Sequence, residues 1–86
     1  MPKEIISINI KFYSGIDREI GLTEYDPYEG INLQVPVKST LKHALKQLGY
    51  KKRSHHAVFC DGERSSLRHK LVEGNEISLI IPSAGG

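Results

Sequence analysis

Residues 71–86 read Leu71-Val72-Glu73-Gly74-Asn75-Glu76-Ile77-Ser78-Leu79-Ile80-Ile81-Pro82-Ser83-Ala84-Gly85-Gly86. Glu73-Gly74-Asn75 is turn chemistry, since glycine and asparagine both accept the left-handed torsions of a reversal. Ile77, Leu79 and Ile81 then recur at a period of two with Ile80 between them, which predicts a buried strand from Ile77 to Ile81. Pro82 has no amide hydrogen to give to a ladder and ends it. The remaining four residues, fully extended, span at most about 13 Å, enough for a terminal carboxylate to enter a second protein while the domain stays outside. Gly85 and Gly86 carry no Cβ and fit a passage only as wide as backbone. Small residues at a chain end are commonplace, so the pair alone decides nothing.

Working back from this strand, Ile6, Ile8, Ile10 and Phe12 alternate with Ser7, Asn9, Lys11 and Tyr13, predicting a strand from Ile5 to Tyr13 with one face in the core. Ser14-Gly15 interrupts it. One helical turn is expected at Ile16 to Ile20, then a loop to Gly30. Ile31, Leu33, Val35 and Val37 alternate again as a second strand, and Pro36 on the opposite phase places it at a sheet edge. Ser39 or Thr40 suits a helix N-cap. Leu41, Ala44, Leu45 and Leu48 follow on one stripe, and Gly49 closes a helix of about ten residues. After a basic link, His55 to Cys60 is read as a third strand, halted by the hairpin signal Asp61-Gly62. Strands flanking a single helix, without regular alternation, predict an α+β fold: a mixed sheet of four or five strands with one main helix on one face.

Length and composition bound the function. A chain of 86 residues holds one small domain and has no room for a substrate lobe or cofactor fold. The single Cys60 excludes a disulfide framework, a four-thiolate iron–sulfur cluster and a cysteine-rich zinc site, and fits a reducing compartment, the cytoplasm by default. No apolar run approaches a membrane span and Met1-Pro2-Lys3-Glu4 is unlike a signal peptide, so no membrane partner is expected.

The net charge of +2 hides an uneven distribution. Lys42, Lys46, Lys51, Lys52, Arg53, Arg64, Arg68 and Lys70 face only Asp61 and Glu63 across residues 42–70. Such a basic middle suits a phosphate or an acidic partner surface. With no aromatic residues interleaved for base stacking, it reads first as a solvated helix face and loops, and nucleic acid is not expected. No metal site is expected either. His55 and His56, adjacent on a strand, would point to opposite faces, and His43 and His69 fall at solvated positions. Cys60 reads as a small buried hydrophobe.

In order along the chain, four pieces resemble the MoaD/ThiS family of ubiquitin-like β-grasp sulfur carriers. Phe12 with Arg18-Glu19 and Gly21 is similar to the F-x-x-x-R-E-x-x-G pattern after the first strand in the molybdopterin branch. Ser39-Thr40-Leu41 opens the helix, Ala57 to Glu63 resembles the V-x-V-N-G-E hairpin, and Leu71 to Gly86 looks like L-x-x-G-D-E-V-x-x-x-P-x-x-G-G. Asn75 stands where an aspartate is usual, Cys60 where an apolar or small residue is, and the loop from Gly21 to Gly30 is longer than in compact members.

The resemblance implies a β-grasp domain over residues 1–82 and a flexible Gly-Gly tail over 83–86. It further implies a carrier and co-substrate, possessing no enzymatic activity or bound cofactor of its own. A ubiquitin-activating-type partner adenylates the Gly86 carboxylate with ATP, and sulfur displaces AMP to give a thiocarboxylate. Gly85 is then the spacer, and Pro82, Ser83 and Ala84 the threaded arm. The sulfur passes to a synthase large subunit or another acceptor enzyme, with molybdopterin-type synthesis first among the pathways. Two alternatives remain: a modifier joined through Gly86 to lysines, and a β-grasp module that uses the basic middle for RNA.

Overall fold

The computed structural model describes residues 4–82. Seven elements follow in order: β1 (Ile5–Phe12), α1 (Ile16–Glu19), β2 (Ile31–Pro36), α2 (Leu41–Gln47), β3 (Ala57–Cys60), β4 (Glu63–Arg64) and β5 (Glu76–Ile80). The strands form one sheet in the order β2-β1-β5-β3-β4. β1 and β5 are parallel, pairing Asn9 with Glu76 and Phe12 with Leu79, and the other neighbours are antiparallel. The last strand in sequence is therefore the central one in space, held by β1 on one side and β3 on the other. The predicted α+β class, mixed sheet and single main helix are all present.

The period of two in β1 buries Ile6, Ile8, Ile10 and Phe12. They meet Val35, Val58, Ile77 and Leu79 from neighbouring strands and Leu41, Ala44 and Leu45 from α2 in one core. Each such side chain taken fully from water contributes about 1.5–3 kcal/mol, so the helix is held chiefly by its apolar stripe. Thr40 caps it, its Oγ1 accepting from the His43 amide at 3.2 Å. The first-turn amides of Leu41 and Lys42 donate to the carbonyls of His69 and Leu67, both 2.9 Å away. The irregular segment after β4 thus satisfies the donors a helix start leaves open.

Several boundaries differ from the sequence reading. α2 has seven residues rather than about ten, because the Gly49 and Tyr50 amides turn back to the Lys46 and Leu45 carbonyls. The third strand begins at Ala57, not His55: the His56 amide bonds the Arg53 carbonyl at 3.0 Å, putting both histidines in a turn ahead of the ladder. Tyr13, Val37 and Ile81 fall just outside their strands, and β5 starts one residue early at Glu76. β4, only two residues long, completes the hairpin that Asp61-Gly62 announced, pairing Cys60 with Glu63. Pro36 lies in β2 at the sheet edge, as its missing donor requires.

The loop after α1 is pinned to β1. Tyr25 Oη accepts from the Phe12 amide at 2.6 Å and donates to its carbonyl at 3.2 Å, and the two rings meet edge to face. Gly30 then passes so close to β1 that a Cβ there would sit 2.7 Å from the Ile10 carbonyl oxygen.

Candidate functional site at the exit of the last strand

Register places three chain segments at one end of the sheet. Phe12 ends β1 opposite Leu79, and Ala57 opens β3 opposite Ile80. So β1 leads into Ser14-Gly15 and α1, β5 leads out to Ile81 and Pro82, and the turn carrying His55 and His56 leads in, all at the same end. Ile81 is fastened as it leaves: its amide donates to Ser14 Oγ at 3.1 Å. Pro82 is exposed and belongs to no strand. Ser83, Ala84, Gly85 and Gly86, the rest of the anticipated arm and its reactive end, lie outside the described residues.

A row of rings builds this end from inside. Tyr25 meets Phe12 with centroids 5.8 Å apart, Phe12 meets Tyr50 at 6.4 Å, Tyr50 meets His56 at 5.6 Å and His56 meets His55 at 4.4 Å. Tyr50, read from the sequence only as part of a basic link, is a core residue. Its ring neighbours are Phe12 of β1 and His56 of the turn before β3, and no periodicity in residues 49–54 marks it as buried.

His56 is 2% exposed, and its Nδ1 lies 2.8 Å from Tyr50 Oη. Nε2 faces Glu19, with Oε2 3.5 Å away, too long for a charge-assisted hydrogen bond, and has no other partner among the described residues. Burial lowers the imidazole pKa below its ordinary value, against the opposing pull of the Glu19 carboxylate. One donor atom each from Glu19, His55 and His56 falls within 4.8 Å of the others. The expected opposite orientation of the two histidines fails because a turn, unlike a strand, does not alternate its side chains. Arg53 Nε lies 3.9 Å from Glu19 Oε1, and Lys52 Nζ donates to the Arg53 and His56 carbonyls at 2.9 Å.

The basic middle gathers in part around the C-terminal end of α2. A groove of about 410 Å³ is lined by Lys42, Lys46, Lys51 and Lys52 over an apolar floor of Leu45, Tyr50 and Leu67. His43 and His69 are exposed, as expected. Cys60 is buried, and burial pushes its thiol pKa up, with the Asp61 and Glu63 carboxylates acting in the same sense. Among the described residues, no helix is long and apolar enough to cross a membrane.

Comparison with solved structures decides the architecture. Two crystal structures of small archaeal modifier protein 1 from Haloferax volcanii superpose with TM-scores of 0.68 and 0.71, at 19% and 17% identity. They cover 93% and 91% of this chain and 99% of each neighbour. The solution structure of the Haloferax volcanii HVO 2177 protein gives a TM-score of 0.72 at 18% identity, over 100% of this chain and 92% of its own. The fold is the ubiquitin-like β-grasp. At these identities the likeness is one of architecture. No family model matches the chain, and no curated protein matches it. Within this β-grasp frame, the Tyr25 loop is pinned to β1 and the histidine turn lies at the exit of β5.

Proposed function

We propose that this β-grasp domain is a carrier whose Gly86 carboxylate is activated by a separate adenylating enzyme. A carboxylate oxygen attacks the α-phosphorus of ATP, pyrophosphate leaves, and the acyl adenylate is then open to a nucleophile. Bisulfide attacks the carbonyl, AMP departs, and loss of the sulfur-bound proton leaves a thiocarboxylate on the chain. Molybdopterin-type cofactor synthesis is the first acceptor, on the Arg18-Glu19 and Gly-Gly patterns. The partner supplies the charges that stabilise phosphate. This chain supplies presentation: a rigid domain docks and the tail is aligned with the reacting group, where lost freedom of motion can be worth several kcal/mol.

The observation that carries the reading is the anchoring of β5. Bracketed in the sheet centre and fastened at Ile81, it hands the chain to an exposed Pro82 with four small residues beyond. Sulfur transfer needs no nucleophile, base or metal in this chain. A second reading keeps the adenylation and replaces the sulfur nucleophile by a lysine ε-amine, which forms an isopeptide bond as AMP leaves. The names of two structural neighbours, small archaeal modifier protein 1, favour it.

Both readings require the terminal glycine. ATP–pyrophosphate exchange by the cognate activating enzyme is expected with the full chain and lost on deletion of Gly86, with the fold unchanged by circular dichroism. Full exchange with the deleted chain would reject the proposal.

A further inference from the structure

We propose that Glu19, His55 and His56 form a binding site for one zinc-type divalent cation, with water completing the coordination. This site is independent of the tail chemistry and joins two segments far apart in sequence: the end of α1 and the turn before β3.

The donor set comes first. Two imidazoles and one carboxylate are borderline ligands that suit zinc, and three protein ligands with one open position make a common zinc arrangement. Distance is next. Ligand atoms about 2.0–2.1 Å from a tetrahedral zinc lie roughly 3.4 Å from one another, and His56 Nε2 and Glu19 Oε2 are 3.5 Å apart. That spacing is too long for a good hydrogen bond and right for two ligands of one ion. The three donor atoms lie within 4.8 Å of one another, so closing the set takes a movement of about 1–1.5 Å to reach the same spacing. His55 is exposed, its ring 4.4 Å from that of His56 between centroids.

His56 is buried, its Nε2 has no hydrogen-bond partner among the described residues, and a buried polar atom so placed costs stability. With Nδ1–H donating to Tyr50 Oη, Nε2 presents a lone pair to a carboxylate, which is repulsive until a cation lies between them. With Tyr50 donating instead, the Nε2–H reaches toward Glu19 from too far away. A metal resolves this in the first tautomer, where Tyr50 fixes the ring as outer partners of ligating histidines do.

Two cations oppose the site. Arg53 approaches Glu19 on the other oxygen at 3.9 Å with its side chain 59% exposed, an ion pair of the weak surface kind. Lys52 is tied to two backbone carbonyls.

The test is titration of chelator-stripped full chain with zinc chloride alone, by calorimetry and thermal melting. Cobalt substitution reads the geometry through visible d–d absorption. One equivalent should bind with a rise in Tm, and the His56 Nδ1 proton should be retained in NMR spectra of the zinc form. His55→Ala, at an exposed position, and Glu19→Gln should each keep the fold and weaken binding tenfold or more. Arg53→Ala should bind at least as tightly as the parent. Absence of saturable binding, or binding unchanged in His55→Ala and Glu19→Gln, overturns the assignment.

Discussion

The Asn75 side chain donates from Nδ2 to Asp61 Oδ2 at 2.7 Å, stapling the turn before β5 to the β3–β4 hairpin. Its Oδ1 accepts from the Val72 amide at 2.7 Å, and Asp61 Oδ1 accepts from the Glu76 amide at 2.8 Å. A backbone amide only donates and a carboxylate only accepts, so both ends of this buried amide are fixed. The asparagine at position 75 is therefore required by its partner.

Asn75→Asp replaces a donor facing a carboxylate with a second carboxylate. Loss of a hydrogen bond to a charged group costs about 1.5–3 kcal/mol, and repulsion adds to it. Chemical denaturation at pH 7 should show a deficit of that order. The like charge of Asp61 raises the pKa of the new carboxyl in the fold, so the deficit should shrink as pH falls and the protonated group donates as the amide did. An unchanged midpoint at pH 7 would refute this account of the staple.

Gly30 has φ +71°, and a Cβ would lie 2.7 Å from the Ile10 carbonyl and 2.8 Å from Asn9 Oδ1. Gly30→Ala adds a backbone clash to a left-handed torsion costing about 1–2 kcal/mol. Gly74, at φ +85° with nothing within 4 Å, carries the torsional cost alone. Thermal melts should find Gly30→Ala clearly the more damaging; equal effects would contradict the close approach.

Tyr50→Phe keeps the ring in the core and removes the hydroxyl from His56 Nδ1. Leaving a buried polar atom unpaired costs about 1–3 kcal/mol, and a domain of 60–100 residues loses roughly 4–8 °C of Tm per kcal/mol. The drop should appear in chelator, with the exposed substitution Tyr28→Phe as a neutral control.

Cys60 should react slowly with iodoacetamide at pH 8 in the native chain and at a free-thiol rate in denaturant, because its thiol is buried and its pKa raised. Equal rates would place it at the surface.

The sheet was legible wherever pattern and structure share a cause. Alternation in Ile6 to Phe12 and Ile31 to Val35 marks a buried face, and Thr40 with Leu41, Ala44 and Leu45 marks a capped, one-sided helix. Pro36 foretold an edge. What escaped was built from distant residues. Tyr25 is tied to Phe12, Tyr50 to His56, and Glu19 approaches His56 across 36 intervening residues, and none of these pairs leaves a local period. His55 and His56 were misplaced because a short apolar run does not show where its ladder begins. The anticipated reactive end was read from residue type and order alone.

The central claim is that Gly86 is the working end of the molecule. Intact-mass and C-terminal peptide spectrometry of protein isolated from its native host tests it most directly. The account predicts a chain ending at Gly86, with a fraction in which one terminal oxygen is replaced by sulfur or in which Gly86 is joined to a lysine of another protein. A mature chain extended or capped beyond Gly86 would contradict it.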